Sequence, residues 1–422
     1  MTSEICMMNR LAVVLAADSA TTVSHWSGGK RDERYFKGAN KIFQLSDREP
    51  VGLMIFDSAD LLRVPWELVI KAFRRQLGPK SFNTVDEYAK EFFSYLDGNH
   101  ALFPKEIQDE AIVAAVGSLA FGWIQSSSKG LEEAKVNAAI LAKVESEEQA
   151  LESVELFQGL SQDDAAKLFT ELSSRLIQDA KEWLDAFQTP VPEDIERVIS
   201  VAFWYVVKHP SQSLSTTGLV FAGYGDHQIF PEMVEYQSCG VINGRHIFVQ
   251  KDHEAIDHSK PAAISGFAQT SMIDTFSLGL SHEAFSSMMV SANRELSDFA
   301  KAIVAASDGA LDKIDDLSSL VQAAMRKIRE NVLEQARDNH YFPLRNVIGF
   351  LPVDEMAGLA ETLINLQSLK EKVTKPSETV GGPVDVAVIT KHEGLVWIKR
   401  KHFFDPDLNS RYKLRQAAQL QT

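Results

Sequence analysis

The chain has 422 residues and carries 43 Lys and Arg against 58 Asp and Glu, a formal net charge of −15. So acidic a chain is a poor candidate for general nucleic-acid binding or for an anionic membrane surface, because both rest on positive potential. Two cysteines, Cys6 and Cys239, give no disulfide framework and favour a reducing compartment.

The start lacks the basic and apolar regions of a signal peptide, and no uninterrupted apolar run approaches membrane-spanning length, so a cytoplasmic protein is expected. Residues 3–22 read as two short strands meeting near Asn9 and Arg10, the second holding the apolar run Ala12 to Ala17. Residues 23–40 mix glycine, charge and aromatics without a period and are predicted to be a loop. A strand begins at Lys41, and Val51 to Phe56 reads as a further strand buried on both faces. Trp66, Val69, Ile70, Phe73 and Leu77 share one helical stripe that stops at Gly78. A second helix begins after the Asn83-Thr84 start signal, and nearly every signal from Phe103 to about Pro210 is helical.

Strand character returns at Thr217, with Asn243-Gly244 marking a hairpin. Helical patterns run from about Thr270 to Asp338 and from Val353 to Val373, and the last strands fall within 381–404. The order strands, helices, strands, helices, strands suits an α+β fold with two stacked sheets and helices outside. On this reading 1–422 is a single domain with one helical insertion at 80–212 and a second helical expansion at 285–373.

The chemistry concentrates at the start. Loss of Met1 would expose Thr2 with a hydroxyl and a free α-amine on one residue, a nucleophile with its own base. An α-amine titrates near 7.7 to 8, roughly where a base for neutral pH must sit. Asp18 comes 16 residues after Thr2, at the end of the apolar strand, and Lys41 opens the next one. Taken singly, Thr2 is also compatible with a frayed terminus, Asp18 with a turn cap and Lys41 with a solvated strand start.

Taken together, Thr2, Ala16-Ala17-Asp18-Ser19, Lys41-Ile42 and Gly52 to Asp60 resemble the motifs of a proteasome β-type subunit, a member of the N-terminal nucleophile hydrolases. The overlap is strongest over 2–77 and weaker at 217–276 and 380–404. The resemblance implies a four-layer αββα sandwich, Thr2 as nucleophile, and Lys41 held by Asp18 as its activator. It also implies cleavage of a peptide or protein substrate through an acyl-enzyme, a homo-oligomeric ring and an ATP-dependent unfoldase as partner. It calls for no cofactor, metal, nucleic acid or membrane.

By the same alignment the oxyanion donor falls at Phe56 or Asp57, and Gly381-Gly382 keeps a glycine pair of the family while Ser377 and Val380 replace its polar residues. A remaining serine of the family would fall within Ser265 to Gln269. These departures keep two alternatives open, a catalytically silent scaffold or binding protein and a small-molecule amidase of the same fold. His227, His246, His253, His258 and His282 cluster without any metal-binding spacing and read as polar loop residues between strands. The glycines of Ala222 to Gly225 lack the downstream Lys-Ser/Thr and helix start of a phosphate loop, and they read as a turn. The basic stretch after Trp397 reads as a solvated final strand that could touch an acidic partner.

Overall fold

The structure, a computed structural model, describes residues 2–27, 30–157, 159–306, 317–374 and 380–419. In chain order the first elements are β1 (Ser3–Asn9), β2 (Val13–Ala17), β3 (Ala20–Ser27), β4 (Lys30–Lys37), β5 (Ile42–Gln44), β6 (Val51–Asp57), β7 (Asp60–Leu61) and β8 (Val64–Pro65). Next come helices α1 (Trp66–Leu77), α2 (Val85–Gly98), α3 (Lys105–Ser128), α4 (Glu133–Glu152), α5 (Gln162–Ala186), α6 (Ile195–Lys208) and the short α7 (Pro210–Ser213). The chain then returns to strands in β9 (Thr217–Gly223), β10 (Glu232–Ile242), β11 (Arg245–Ala255) and β12 (Ala262–Ala268). Last come α8 (Ser271–Leu278), α9 (His282–Ala306), α10 (Leu317–Ala336), α11 (Phe342–Ile348), α12 (Val353–Thr374), β13 (Asp385–Thr390), β14 (Gly394–Lys399) and α13 (Ser410–Gln419).

The chain is a mixed α and β protein built on antiparallel sheets. One sheet has the order β12-β1-β2-β13-β14 and the other β11-β10-β9-β6-β5. The period of two along β1 divides its side chains: Ile5 and Met7 join one apolar cluster with Ala357, Leu363 and Ile364 of α12, while Cys6 and Met8 join another with Met54, Val220 and Met233 of the second sheet. The far face of the second sheet, through Leu53, Leu219 and Phe221, packs on Trp66, Phe73 and Phe92 of α1 and α2. Trp66 also ties α1 to β9, its Nε1 donating to Thr217 Oγ1 at 2.9 Å.

Local signals explain the helix starts. Thr84 Oγ1 accepts from the Glu87 backbone N–H at 3.2 Å while Glu87 Oε2 accepts from the Asn83 N–H at 2.8 Å, a reciprocal cap at the start of α2. Ser161 caps α5 by accepting from the Asp164 N–H at 3.1 Å. Helices α3 to α6 bury a core of their own, including Val116, Ile124, Leu172 and Phe203, which reaches Cys239 and Ile242 of β10. Helix α3 is long and apolar enough to cross a membrane, yet its Ile112, Val116, Ala120 and Ile124 are packed in that helical core.

Residues 23–40 are not the loop expected from the sequence. Ala20 to Ser27 pairs with Lys30 to Lys37 as an antiparallel ribbon, in the register Ala20 with Lys37 through Ser27 with Lys30. The sequence of the two arms interleaves polar and charged residues with few apolar ones, which leaves no hydrophobic period to read. The basic stretch after Trp397 also differs from a single solvated strand. Only Gly394–Lys399 is extended, and a helix begins later, at Ser410–Gln419.

Candidate active site

Strand β1 delivers the first residues to the space between the two sheets. Thr2 is fixed by its own backbone, its carbonyl accepting from the Gln269 N–H at 2.9 Å, and Ser3 Oγ donates to the Gln269 carbonyl at 3.0 Å. Thr2 is buried, and its Oγ1 has no hydrogen-bond partner. Glu4 follows two residues later, inside β1, and its carboxyl meets the Thr2 side chain.

Asp18 stands at the end of β2 with four donors on its carboxylate. Oδ1 accepts from the Ser3 N–H at 3.1 Å and from Lys41 Nζ, and Oδ2 accepts from the Ala20 N–H at 3.1 Å and the Gly381 N–H at 2.7 Å. Lys41 arrives from the opposite sheet, just before β5, where its carbonyl accepts from the Ile55 N–H at 2.9 Å. Its Nζ lies between two carboxylates, bonded to Asp18 and 3.1 Å from Glu4 Oε1. One buried cation thus serves two buried acids.

That imbalance falls on Glu4. Burial pushes its carboxyl up from an ordinary 4.5 to about 7; the Lys41 ammonium pulls it down, the Asp18 carboxylate pushes it up, and the Thr2 hydroxyl lowers it. The Thr2 contact acts through proximity, since neither Glu4 oxygen has a hydrogen bond of good geometry. A carboxyl near 7 exchanges its proton at neutral pH, which suits acid–base work and also makes its ionisation expensive to the fold.

The structure therefore brings Thr2, Asp18 and Lys41 into one buried cluster and adds Glu4, which was not among the residues expected from the sequence. The signal for Glu4 was present: an acid inside an apolar strand, at even spacing from Thr2. The expected oxyanion and substrate-binding residues are placed differently. Gly381 spends its N–H on Asp18, and Gly382 at φ 83 lies against Lys37 and Ser19, so this pair positions Asp18 and its turn. Asp57 is exposed at the end of β6, with φ 68.

Phe56 is half-buried and stacks on Phe267 with ring centroids 5.4 Å apart. Phe267 lies directly opposite Glu4 in the β1–β12 register, so the stacked rings wall the site on that side. The backbone of Gly218 accommodates the Phe56 ring so closely that a Cβ there would sit 2.0 Å from it. Ser265 pairs with Cys6 further along β12, Val380 is buried, and Ser377 lies outside the described residues. Among the described residues no three His, Cys, Asp or Glu side chains converge as a metal would require. His246 instead bonds Ser238 at 2.7 Å, and His253 bonds Glu232 at 2.5 Å.

No family model matches the chain. No curated protein matches it either. Among solved structures it is similar to a Gly-1 mutant of Anbu from Hyphomicrobium sp. strain MC1, at 9% identity over 99% of this chain and 96% of that one, with a TM-score of 0.25. A likeness that slight carries no argument about fold or chemistry. The resemblance to proteasome β-type subunits is accordingly corrected: no family model supports it, and the likeness to Anbu is at only 9% identity. The expected ring and unfoldase partner rested on that resemblance and lose their basis with it. What remains is the geometry of the buried cluster.

Proposed function

We propose that the chain is an amidohydrolase that uses Thr2 as an N-terminal nucleophile after removal of Met1, on a four-layer αββα arrangement of the two sheets and their flanking helices. The observation that carries this reading is the buried cluster in which Thr2 meets Glu4 and Glu4 shares Lys41 with Asp18, with Thr2 Oγ1 left without a hydrogen bond of good geometry. Buried hydroxyls are ordinarily satisfied, so one without a well-formed hydrogen bond beside a lysine-paired carboxyl is a candidate nucleophile.

In the reaction, Thr2 Oγ attacks the amide carbonyl carbon and the freed α-amine takes the hydroxyl proton. As the C–N bond breaks, that proton passes to the leaving nitrogen, leaving an ester on Thr2 that water hydrolyses. Lys41 disfavours protonation of the α-amine and favours the hydroxyl's loss of its proton, while Asp18 holds Lys41 in place. Glu4 sets how much of the lysine's charge reaches Thr2. Protonated, Glu4 leaves that charge to the nucleophile; ionised, it neutralises more of it. A peptide bond is the proposed substrate linkage, with a small amide as the narrower variant.

A second reading, a catalytically silent binding or structural protein, is favoured by Glu4 itself, since an acid 3.1 Å from Lys41 competes with the role assigned to the lysine. Intact mass before and after incubation with a peptide epoxyketone, which needs both hydroxyl and free amine on one residue, separates the two. Catalysis requires loss of Met1 and one adduct that disappears in Thr2→Ala. Retention of Met1 in a competent host refutes it, and Met1 lost without an adduct supports the silent reading.

A further inference from the structure

Away from the buried cluster, the C-terminal segment crosses back over the turn before β5 and the start of α1, enclosing a cleft of about 630 Å³. Its lining includes Lys37, Lys71, Arg400, Lys401 and Arg415, five permanent cations, against the single carboxylate of Glu67. That balance is opposite in sign to the chain as a whole, at −15.

Some of this charge is already used. Lys71 bonds Glu67, which also accepts from Asn40 at 3.1 Å, and Lys401 bonds Asp385. The guanidiniums are not neutralised in this way. Arg400 lies over the Trp397 ring at 4.6 Å, and among the described residues neither Arg400 nor Arg415 has an ion pair. Beside them stands an aromatic face: Phe404 meets Tyr412 at 4.9 Å and His402 at 5.3 Å, and Phe403 is 98% exposed.

We propose that this cleft binds a small phosphorylated ligand bearing a planar ring, of the nucleotide class. Guanidinium forks match phosphate oxygens two at a time, and an exposed aromatic face stacks a base whatever its identity. The cleft's volume is that of a small-molecule site. A nucleic-acid strand would carry its charges past the edge of the cleft and meet a strongly acidic surface. The bound ligand would also sit close behind the catalytic candidates: Gly38 lines the cleft and donates its N–H to the Ser19 carbonyl at 2.9 Å, next in the chain to Asp18.

The test is calorimetric titration of the full chain with ATP, with inorganic tripolyphosphate and a Glu-rich peptide as comparators. Expected are saturable binding of ATP, a loss of at least about tenfold in Tyr412→Ala, and a larger loss in Arg400→Glu/Arg415→Glu, all falling with added salt. Arg415→Gln, a single exposed position, gives the same reading should the double variant fail to fold. Absence of saturable ATP binding, or binding unchanged in the arginine variants, overturns the site. Tripolyphosphate or the acidic peptide binding as tightly as ATP overturns the ligand class. This binding assay is independent of whether Thr2 reacts.

Discussion

Replacing Glu4 by Gln keeps the shape of the side chain and removes its ionisation, which makes it the sharpest probe of the buried cluster. Glu4 is buried, and its carboxyl sits at about 7 in the fold against an ordinary 4.5, chiefly through burial and net of the pull from Lys41. The folded chain therefore holds this proton more tightly than the unfolded chain. The resulting stabilisation is complete below pH 4.5, is lost as pH rises to 7, and is gone above that. The gap corresponds to on the order of 3 kcal/mol. Gln cannot ionise, so Glu4→Gln should match the wild type near pH 4.5 and exceed it in stability at pH 8. Urea unfolding from pH 4.5 to 9, read as the difference between the two midpoints, measures this directly. If the two profiles run parallel, Glu4 does not titrate as argued. If the variant is the weaker at pH 8, ionised Glu4 stabilises the fold and the cluster is a structural ion triad.

Particular contacts carry three further outcomes. Asp18→Asn should lower stability, by less than the roughly 3 to 5 kcal/mol of a buried charge left with no partner because Glu4 remains 3.1 Å from Lys41; an unfolding midpoint equal to the wild type's would contradict that role. Gly218→Ala should destabilise by at least about 1 to 3 kcal/mol, because its Cβ would meet the Phe56 ring at 2.0 Å. Adding Phe56→Ala should recover part of that loss, and strict additivity of the two changes in denaturant melts would refute the contact. His246, pushed by burial from 6.5 to about 3, is a neutral imidazole in the fold, so its contribution is present above pH 6.5 and is lost as pH falls toward 3. His246→Gln should accordingly unfold at lower pH than the wild type in an acid titration monitored by circular dichroism, and an unchanged midpoint would show that His246 is not a trigger of acid unfolding.

What the sequence made legible was what local pattern controls. The apolar runs of β2 and β6, the stripe of α1, the Thr84 cap and the Asn243-Gly244 turn each announce themselves within a few residues. The β3–β4 ribbon did not, because the sequence of its arms is mostly charged and polar and carries no apolar period. Thr2, Asp18 and Lys41 stood out in the sequence, whereas Glu4 gave only the sign of an acid at even spacing from Thr2 and Gly381 gave no sign of its acceptor, for a physical reason. A carboxylate in a strand reads as a solvated residue until its neighbours across the sheet are known, and the acceptor of a glycine's N–H is not written in the residues beside it. Gly381 meets Asp18 across 363 residues of chain, and Lys41 meets it across 23. The charge state of Thr2's surroundings is therefore a property of the pairing of β1, β2 and the start of β5, and of no segment alone. For that reason the Glu4→Gln profile bears on the chemistry as well as on stability: the same proton that relieves the fold frees Lys41 to act on Thr2.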